Sequence, residues 1–562
     1  MKLTKLPRFE RSLVIKTRGV HYTYFLLLFR HSYYPITRFY LHTLMKHITT
    51  YSVAIIAGAA LAFAFAPLAL YPLAVICPAL LLRLCLDYPP QRAFFIGLLF
   101  GIGFFSVGVS WVFISIHVFG HSSIFISILI TALFILILAL FIALQAYLLN
   151  LFFPENTRIK RYLVFPSLWA LSEWLRSWIL TGFPWLLLGT SQVNSPLAGY
   201  APIVGEFGLA FLLTLSSALF LNLFYPYFCS YKYPIPPLAC LKKTGKLFPL
   251  LMLPGLWVAG YALTFVHWTQ AIGKPIQVSL IQANIPQEIK WEPRYLNTSL
   301  DAYSRLTQSH WNSRLIIWPE AAIPLLQHNI RPFLKALDTE AKQHGTALIT
   351  GIPIQEGFQY YNGMIALGID HASYYKQQLV IFGEYLPWWI SWAQGLLNIL
   401  AIPMSNFSPG PAQQAAFKVA GLDLGTFICY EIAYPSLIRK ALPSTQLLLT
   451  INDDAWFGHS FALAQHLQIG AFQALAAGRY LLFLSNTGMT AIVTPQGKIQ
   501  AQLSPFQIAV LTGSVYAFSG STPWVSIGNY PIIVFLVGLI VVCFAYRRSA
   551  LQSNKRITHD SD

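Results

Sequence analysis

A polytopic helical membrane bundle carrying one α/β domain outside the bilayer is the fold class this sequence predicts, on three observations. The chain of 562 residues is 56% hydrophobic and only 10% charged, against about 25% charged in ordinary soluble domains. Apolar runs long enough to cross a bilayer, about 17 to 25 residues each, crowd the first half and return once near the end. One long hydrophilic stretch, residues 271–522, separates the seventh run from the eighth.

The apolar runs read as eight spans, at 52–70, 71–87, 94–117, 123–151, 163–180, 207–226, 248–266 and 530–546. No charged residue occurs between Phe94 and Phe153, which covers two of them. The fifth carries Glu173 and Arg176, an i,i+3 pair able to neutralise itself inside a bundle. Residues 1–44 are basic and aromatic, and their one apolar run, Tyr24 to Phe29, is too short for a span or a signal segment. Met45 begins a better first span, so 1–44 reads as a disordered extension or a misplaced start. The expected organisation is therefore an N-terminal extension at 1–44, seven spans within 45–270, an outer domain at 271–522, and the last span with its tail at 523–562.

Charge sets the orientation. Lys and Arg number 37 against 20 Asp and Glu, a net +17. The excess gathers in alternate connections, those with Arg83 and Arg92, then Arg158, Lys160 and Arg161, then Lys232, Lys242, Lys243 and Lys246. Short basic loops stay inside, and the basic N-terminus and the tail Arg547–Arg548 fall on the same side. The 271–522 domain then faces outward, into the periplasm if the cell is Gram-negative. Charge spent in this way, with no basic-aromatic module, argues against a nucleic-acid partner.

Within the outer domain, strand-like runs recur at Ile276–Ile281, Leu315–Trp318, Ala347–Ile352, Met364–Leu367, Leu424–Cys429, Gln446–Ile451, Tyr480–Leu484, Ala491–Val493 and Ala509–Val515. Helical patterns at Arg331–His344 and Ala464–Ala477 fall between them. Alternation of this kind predicts a layered α/β core, for which about 250 residues suffice.

Three segments place ionisable residues in or just after apolar runs: Leu315 to Glu320, Tyr375-Lys376 followed by Phe382-Gly-Glu384, and Phe427 to Glu431. Strand ends are where α/β folds build active sites. Six cysteines occur, and five (Cys77, Cys85, Cys229, Cys240, Cys543) lie in or beside apolar segments. Cys429 alone lies in the hydrophilic stretch, where a thiol without a local partner is either a buried inert side chain or a nucleophile.

With their flanks, these segments read WPEAAIP (318–324), YKQQLVIFGEYLP (375–387), ICYE (428–431) and NDDAWFG (452–458). The set resembles the nitrilase superfamily, and within it the membrane-bound apolipoprotein N-acyltransferase family. SEWLRSW (172–178) and TGFPW (181–185) extend the resemblance into the spans, so that it covers roughly residues 45–546. The resemblance implies an αββα sandwich for the outer domain, Cys429 as nucleophile, Glu320 as general base and Lys376 as stabiliser of the oxyanion. Glu384 then orients Lys376 or the acceptor amine. Glu431 and Tyr430 flank the nucleophile, Glu431 with structural support as the alternative, and Trp291 has either a substrate contact or a core role. Each catalytic role is also sound chemistry, since a neutral thiol needs a carboxylate to take its proton, and a dry ammonium stabilises developing negative charge.

The implied reaction starts with attack of Cys429 on a phospholipid ester, which leaves a thioester and a lysophospholipid. The free α-amino group of a diacylglyceryl-cysteine apolipoprotein then takes the acyl chain. Both substrates are lipids held in the bilayer, which accounts for tethering a hydrolase-like domain to spans. No cofactor is implied, and no phosphate-binding glycine loop occurs; His459 and His466 lack convincing metal-ligand spacing. The apolar segment Leu386–Trp392, with Trp388 and Trp389, reads as a lipid-touching arm or as a packed loop.

The chain departs from the family pattern at Ile381, where Pro is usual, and at Asp453, where Asn is usual. Arg and Glu side chains that the family carries around Ala471, Gln473, Ala476 and Phe483 are absent here, and only Arg479 remains. Two other readings compete. One is a membrane-tethered amide or nitrile hydrolase that uses the same three residues with water as second nucleophile; the other is a transporter or scaffold whose outer domain only binds.

Overall fold

The computed structural model describes residues 45, 47–86, 88–229, 247–386 and 406–559, with the side chains of 225–229 and 553–559 excepted. The expected arm at Trp388, Trp389 and Trp392, the residues of 1–44 and the basic loop around Lys242 lie outside the described residues. The described residues from Ala54 onward form one compact unit, which contains every element used below except the start of the helix that begins at His47.

Among the described residues four helices are long and apolar enough to cross a membrane: α1 (Pro90–Gly108), α2 (Ile124–Phe152), α3 (Pro196–Phe224) and α4 (Tyr530–Gln552). Three shorter apolar helices, His47–Ala62, Leu73–Cys85 and Leu247–Leu263, correspond to the first, second and seventh expected spans. The fifth, expected at 163–180, is helical only over Phe165–Arg176 after a π turn at Lys160–Val164. Beyond it the backbone leaves the helix, because Glu173 and Arg176 spend their hydrogen bonds on the loop that follows. Arg176 donates to the carbonyls of Phe183, Trp185 and Leu186, while Glu173 accepts the Leu188 N–H and the Trp169 indole N–H. Within α3, Gly205 sits at φ +63, where a Cβ would run into the Trp524 indole.

The α/β domain is a sandwich of two six-stranded sheets. The first runs β12-β1-β2-β3-β4-β5 and the second β11-β10-β9-β8-β7-β6. In the first sheet these are β1 (Thr269–Gln282), β2 (Leu315–Ile317), β3 (Ala347–Glu356), β4 (Gln359–Gly368), β5 (Ala372–Tyr375) and β12 (Ala509–Gly520). The second holds β6 (Phe417–Val419), β7 (Leu422–Ile428), β8 (Leu447–Asn452), β9 (Leu481–Ser485), β10 (Thr490–Val493) and β11 (Ile499–Leu503). The pairs β1·β2, β2·β3, β7·β8 and β8·β9 are parallel, and the outer pairs are antiparallel.

Side chains alternate across the pleat. Leu315 and Ile317 therefore join Leu424, Ile428, Leu449 and Leu482 between the sheets, while Ile316 and Trp318 pack outward against Leu300, Tyr303, Leu334 and Leu337. Those outer partners come from the helices Leu296–Gln308 and Arg331–Gln343. On the second sheet the covering helix, Ala462–Ala477, is buried around its whole circumference. It has no solvent face because it touches both β9 and α3, and apolar residues occur around it with Gln465, His466, Gln468 and Gln473 buried among them. The domain enters and leaves by neighbouring strands, with Thr269 opposite Gly520 in the β1·β12 pair.

Candidate active site

Each of the three central residues lies one to three residues past a strand, and all three strands end at the same side of the sandwich. Glu320 follows β2 through Trp318-Pro319, Lys376 directly follows β5, and Cys429 directly follows β7. Cys429 has φ +57, a region costly for a residue with a Cβ. The chain turns sharply there from strand into a short 3-10 helix, Cys429–Ala433.

The Cys429 thiol lies close enough to the Glu320 carboxylate for each to shift the other's proton affinity. Glu320 Oε1 accepts from Asn362 Nδ2 at 2.8 Å and lies 3.4 Å from Lys376 Nζ, while Oε2 accepts the Asp453 N–H at 2.8 Å. Lys376 is 1% exposed, and its ammonium donates to Glu384 Oε1 at 2.9 Å. Asn362 Nδ2 reaches Glu384 Oε1 as well, at 2.8 Å, so the amide bridges the two carboxylates. Glycine is needed beside this group, since a Cβ on Gly351 of β3 would lie 2.7 Å from Glu320 Cα.

The electrostatics keep the proton on sulfur while the site is at rest. Burial pushes the Glu320 carboxyl up, but Lys376, the Asn362 amide and Lys290 outweigh it and hold the group below its ordinary value. Burial opposes the charge on Lys376, yet Glu384 and Glu320 together keep it firmly protonated. Burial, with Glu320 next, pushes the Cys429 thiol well up, against the pull of Lys376. At rest the site thus holds a neutral thiol, an ionised base and a cation, a set able to carry out covalent catalysis at a carbonyl.

Glu431 is fully buried and accepts four hydrogen bonds, from the N–H groups of Ile428, Gln377 and Gln378 and from the Tyr374 hydroxyl. It ties the turn at Cys429 to the chain around Lys376, so of its two expected roles the structural one has direct geometry behind it. The Tyr430 ring stacks near Trp185 and Phe183 of the membrane loop, with centroids 6.3 Å away in both cases. Trp291 is 49% exposed, which removes the core reading.

Other residues at the site were not assigned a role from the sequence. Asn362 was missed because a polar residue inside the apolar strand β4 carries no spacing signature, although its burial is itself a signal. His466 is fully buried between Asp454 Oδ1, 2.9 Å from Nδ1, and the Cys429 carbonyl, 3.3 Å from Nε2. Trp185 lies against the same imidazole, with centroids 5.5 Å apart, and donates to Gln465. The charges missing from 468–485 leave no unpaired cation at Arg479, whose guanidinium donates to the carbonyls of Thr445, Gly478, Pro443 and Gly520. Among the described residues no three His, Cys, Asp or Glu side chains converge as metal ligands.

Comparison with known proteins places this geometry in a family. An apolipoprotein N-acyltransferase from Coxiella burnetii is 41% identical over 500 residues, covering 88% of this chain and 99% of its own. The chain belongs to the apolipoprotein N-acyltransferase family. Another member, from Methylococcus capsulatus, is 38% identical over 506 residues, 90% of this chain and 97% of its own. The family model for the apolipoprotein N-acyltransferase N-terminal domain matches residues 57–219, and the carbon-nitrogen hydrolase model matches 277–518. The protein is therefore an N-acyltransferase of the nitrilase superfamily with membrane-spanning helices. A solved carbon-nitrogen hydrolase from Helicobacter pylori G27 aligns at 14% identity with a TM-score of 0.32, covering 43% of this chain and 89% of its own.

Proposed function

We propose that this protein transfers a fatty acyl chain from a membrane phospholipid to the N-terminal α-amino group of diacylglyceryl-cysteine apolipoproteins, through a thioester on Cys429. The observation that carries the reading is the meeting of the Cys429 thiol, the Glu320 carboxylate and the Lys376 ammonium in one buried cluster, within a chain of this family.

In the first half-reaction Glu320 takes the thiol proton and sulfur attacks the ester carbonyl carbon. Lys376 faces the negative charge that develops on the carbonyl oxygen. The C–O bond breaks, Glu320 returns the proton to the leaving alkoxide, and a lysophospholipid departs. In the second, the neutral α-amine attacks the thioester carbonyl, Glu320 accepts a proton from nitrogen, and the C–S bond breaks to restore the thiol and leave an amide. Glu384 holds Lys376 in place, and Trp291, half exposed and next in the chain to Lys290, contacts substrate.

The same reading places the chain in a bacterial inner membrane with about eight spans, seven of them before the catalytic domain, and with that domain in the periplasm. Arg547 forks onto both carboxylate oxygens of Glu155 at 2.8 Å, which supports a common side for the C-terminal tail and the loop holding Arg158, Lys160 and Arg161.

Intact-mass analysis of the full chain in detergent with phospholipid tests the proposal. The expected result is a gain of one acyl chain at Cys429, discharged by a diacylglyceryl-cysteine peptide and only slowly by water, and absent in Cys429→Ser. Rapid discharge by water would make the protein a hydrolase, and no adduct on folded chain would remove the thioester.

A further inference from the structure

Among the described residues, the roles above leave a buried lysine–aspartate pair unused. Lys290, at the end of the short helix Gln287–Lys290, and Asp453, just past β8, pair at 2.7 Å with side chains 2% and 7% exposed. Burying two charges is costly unless their geometry is good and their remaining hydrogen bonds are filled. Asp453 Oδ1 has no hydrogen-bond partner in the protein, and the other contacts of the two residues, one through the Lys290 ammonium and one through the Asp453 backbone, converge on a single residue. Lys290 Nζ also donates to the Glu320 backbone carbonyl at 2.9 Å, and the Asp453 N–H donates to Glu320 Oε2 at 2.8 Å.

Glu320 is thus gripped at its main chain by one member of the pair and at its carboxylate by the other. The residue after it, Ala321, has φ +45, so this stretch of chain depends on neighbours to hold its shape.

We propose that the Lys290–Asp453 ion pair is a positioning device for Glu320, fixing where its carboxylate points and how readily it takes the Cys429 proton. This rests on the reading of Glu320 as the base. The charged groups around Glu320 are Lys376 and Glu384 from the β5 side, Cys429 from the β7 turn, and Lys290 and Asp453; Asp454 with His466 lies behind the sulfur. Within this set, Asp453 is one of the negative charges near Glu320, together with Glu384. It raises the proton affinity of Glu320, and Lys290 offsets that effect. Burial pushes the Asp453 carboxyl up, and Lys290 opposes it, in keeping with a pair that shares its charge with the site.

The test is the pH dependence of Cys429 alkylation by iodoacetamide in the full chain, since it needs no acyl donor. Asp453→Asn, of the same shape without the charge, is expected to move the profile to lower pH, and Lys290→Met to higher pH, each on the order of one unit. The double variant Lys290→Met/Asp453→Asn is expected to return close to the wild-type profile. A role in packing alone predicts no such opposed and cancelling shifts, so coincident profiles would overturn the proposal. So would shifts that persist undiminished in a Glu320→Gln background, because the pair would then act on sulfur without Glu320. If Lys290→Met fails to fold, Asp453→Asn and the double variant carry the same decision. Absence of acyl transfer by the wild type alongside opposed alkylation shifts would count against the acyltransferase reading and leave the pair standing.

Discussion

The Glu431 carboxylate accepts the backbone N–H of Gln377 at 2.6 Å. A residue two places after Cys429 therefore fixes the chain one place after Lys376, and the same carboxylate accepts the Ile428 N–H just before Cys429. Glu431→Gln replaces one acceptor oxygen by an NH2 group that confronts backbone donors. Each buried donor left unpaired costs about 1–3 kcal/mol, so acyl-enzyme formation is expected to slow by roughly 5- to 150-fold, with Cys429 still intact. Single-turnover acylation measures this, and wild-type rates would refute the clamp.

The same carboxyl makes stability depend on pH. Burial raises Glu431 from 4.5 to about 7, against the N–H groups of Ile428 and Gln378. The folded chain then holds this proton more tightly than the unfolded chain, so its contribution is full below about pH 4.5 and is lost as pH rises through about 7. Thermal unfolding in detergent should show stability declining across that window in the wild type, and a flatter dependence in Glu431→Gln.

Lys376 neutralises two carboxylates, Glu384 at 2.9 Å and Glu320 at 3.4 Å. Lys376→Met leaves both without their ammonium, and breaking a buried pair costs about 3–5 kcal/mol. Lys376→Met/Glu384→Gln removes one of the stranded charges and is expected to melt above the single variant. Neither should form an acyl-enzyme. A double variant no more stable than Lys376→Met would show that Glu384 does not depend on Lys376.

Arg479, nearly fully buried, donates to four backbone carbonyls drawn from three separate stretches of chain. Arg479→Ala strands those acceptors, at a cost on the order of 3 kcal/mol or more in stability. The lesion should appear as a lowered unfolding temperature, with near-normal turnover per folded molecule. A large loss of turnover in folded protein would instead give Arg479 a part in the reaction.

Trp185 brings the membrane loop to both flanks of the nucleophile turn, through Tyr430 on one side and His466 on the other. Trp185→Ala is expected to cost about 3–5 kcal/mol and to slow acylation as the Cys429 turn loosens. Trp185→Phe keeps an aromatic surface and loses only the bond to Gln465, for about 1 kcal/mol. Equal acylation rates in all three proteins would show that the loop does not support the turn.

How much of this was legible in the sequence follows from which interactions are local. The parallel strands β2, β7 and β8 were readable because fully buried strands appear as short apolar runs, whereas β5, β6 and β11 were missed because edge strands carry mixed, partly exposed sequences. Span lengths were overread at 163–180 because hydropathy registers Trp, Leu and Ile without registering that Arg176 ends the helix by bonding to the loop ahead of it. Glu320, Lys376 and Cys429 were legible as ionisable residues at strand ends within recognisable flanks. Their partners Asn362, Lys290 and His466 were not, since each acts on a residue tens of positions away.

Composition and periodicity, being sums over neighbouring residues, determined the membrane bundle, the α/β layering and the segments that hold the chemistry. Only the tertiary structure decided that Glu431 joins two loops, that Asp453 and Lys290 grip Glu320, and that a membrane tryptophan backs the nucleophile turn. These are directional contacts of about 3 Å for hydrogen bonds and somewhat longer for rings. Such contacts exist only once distant strands have been laid side by side, and no local pattern of residue types encodes them.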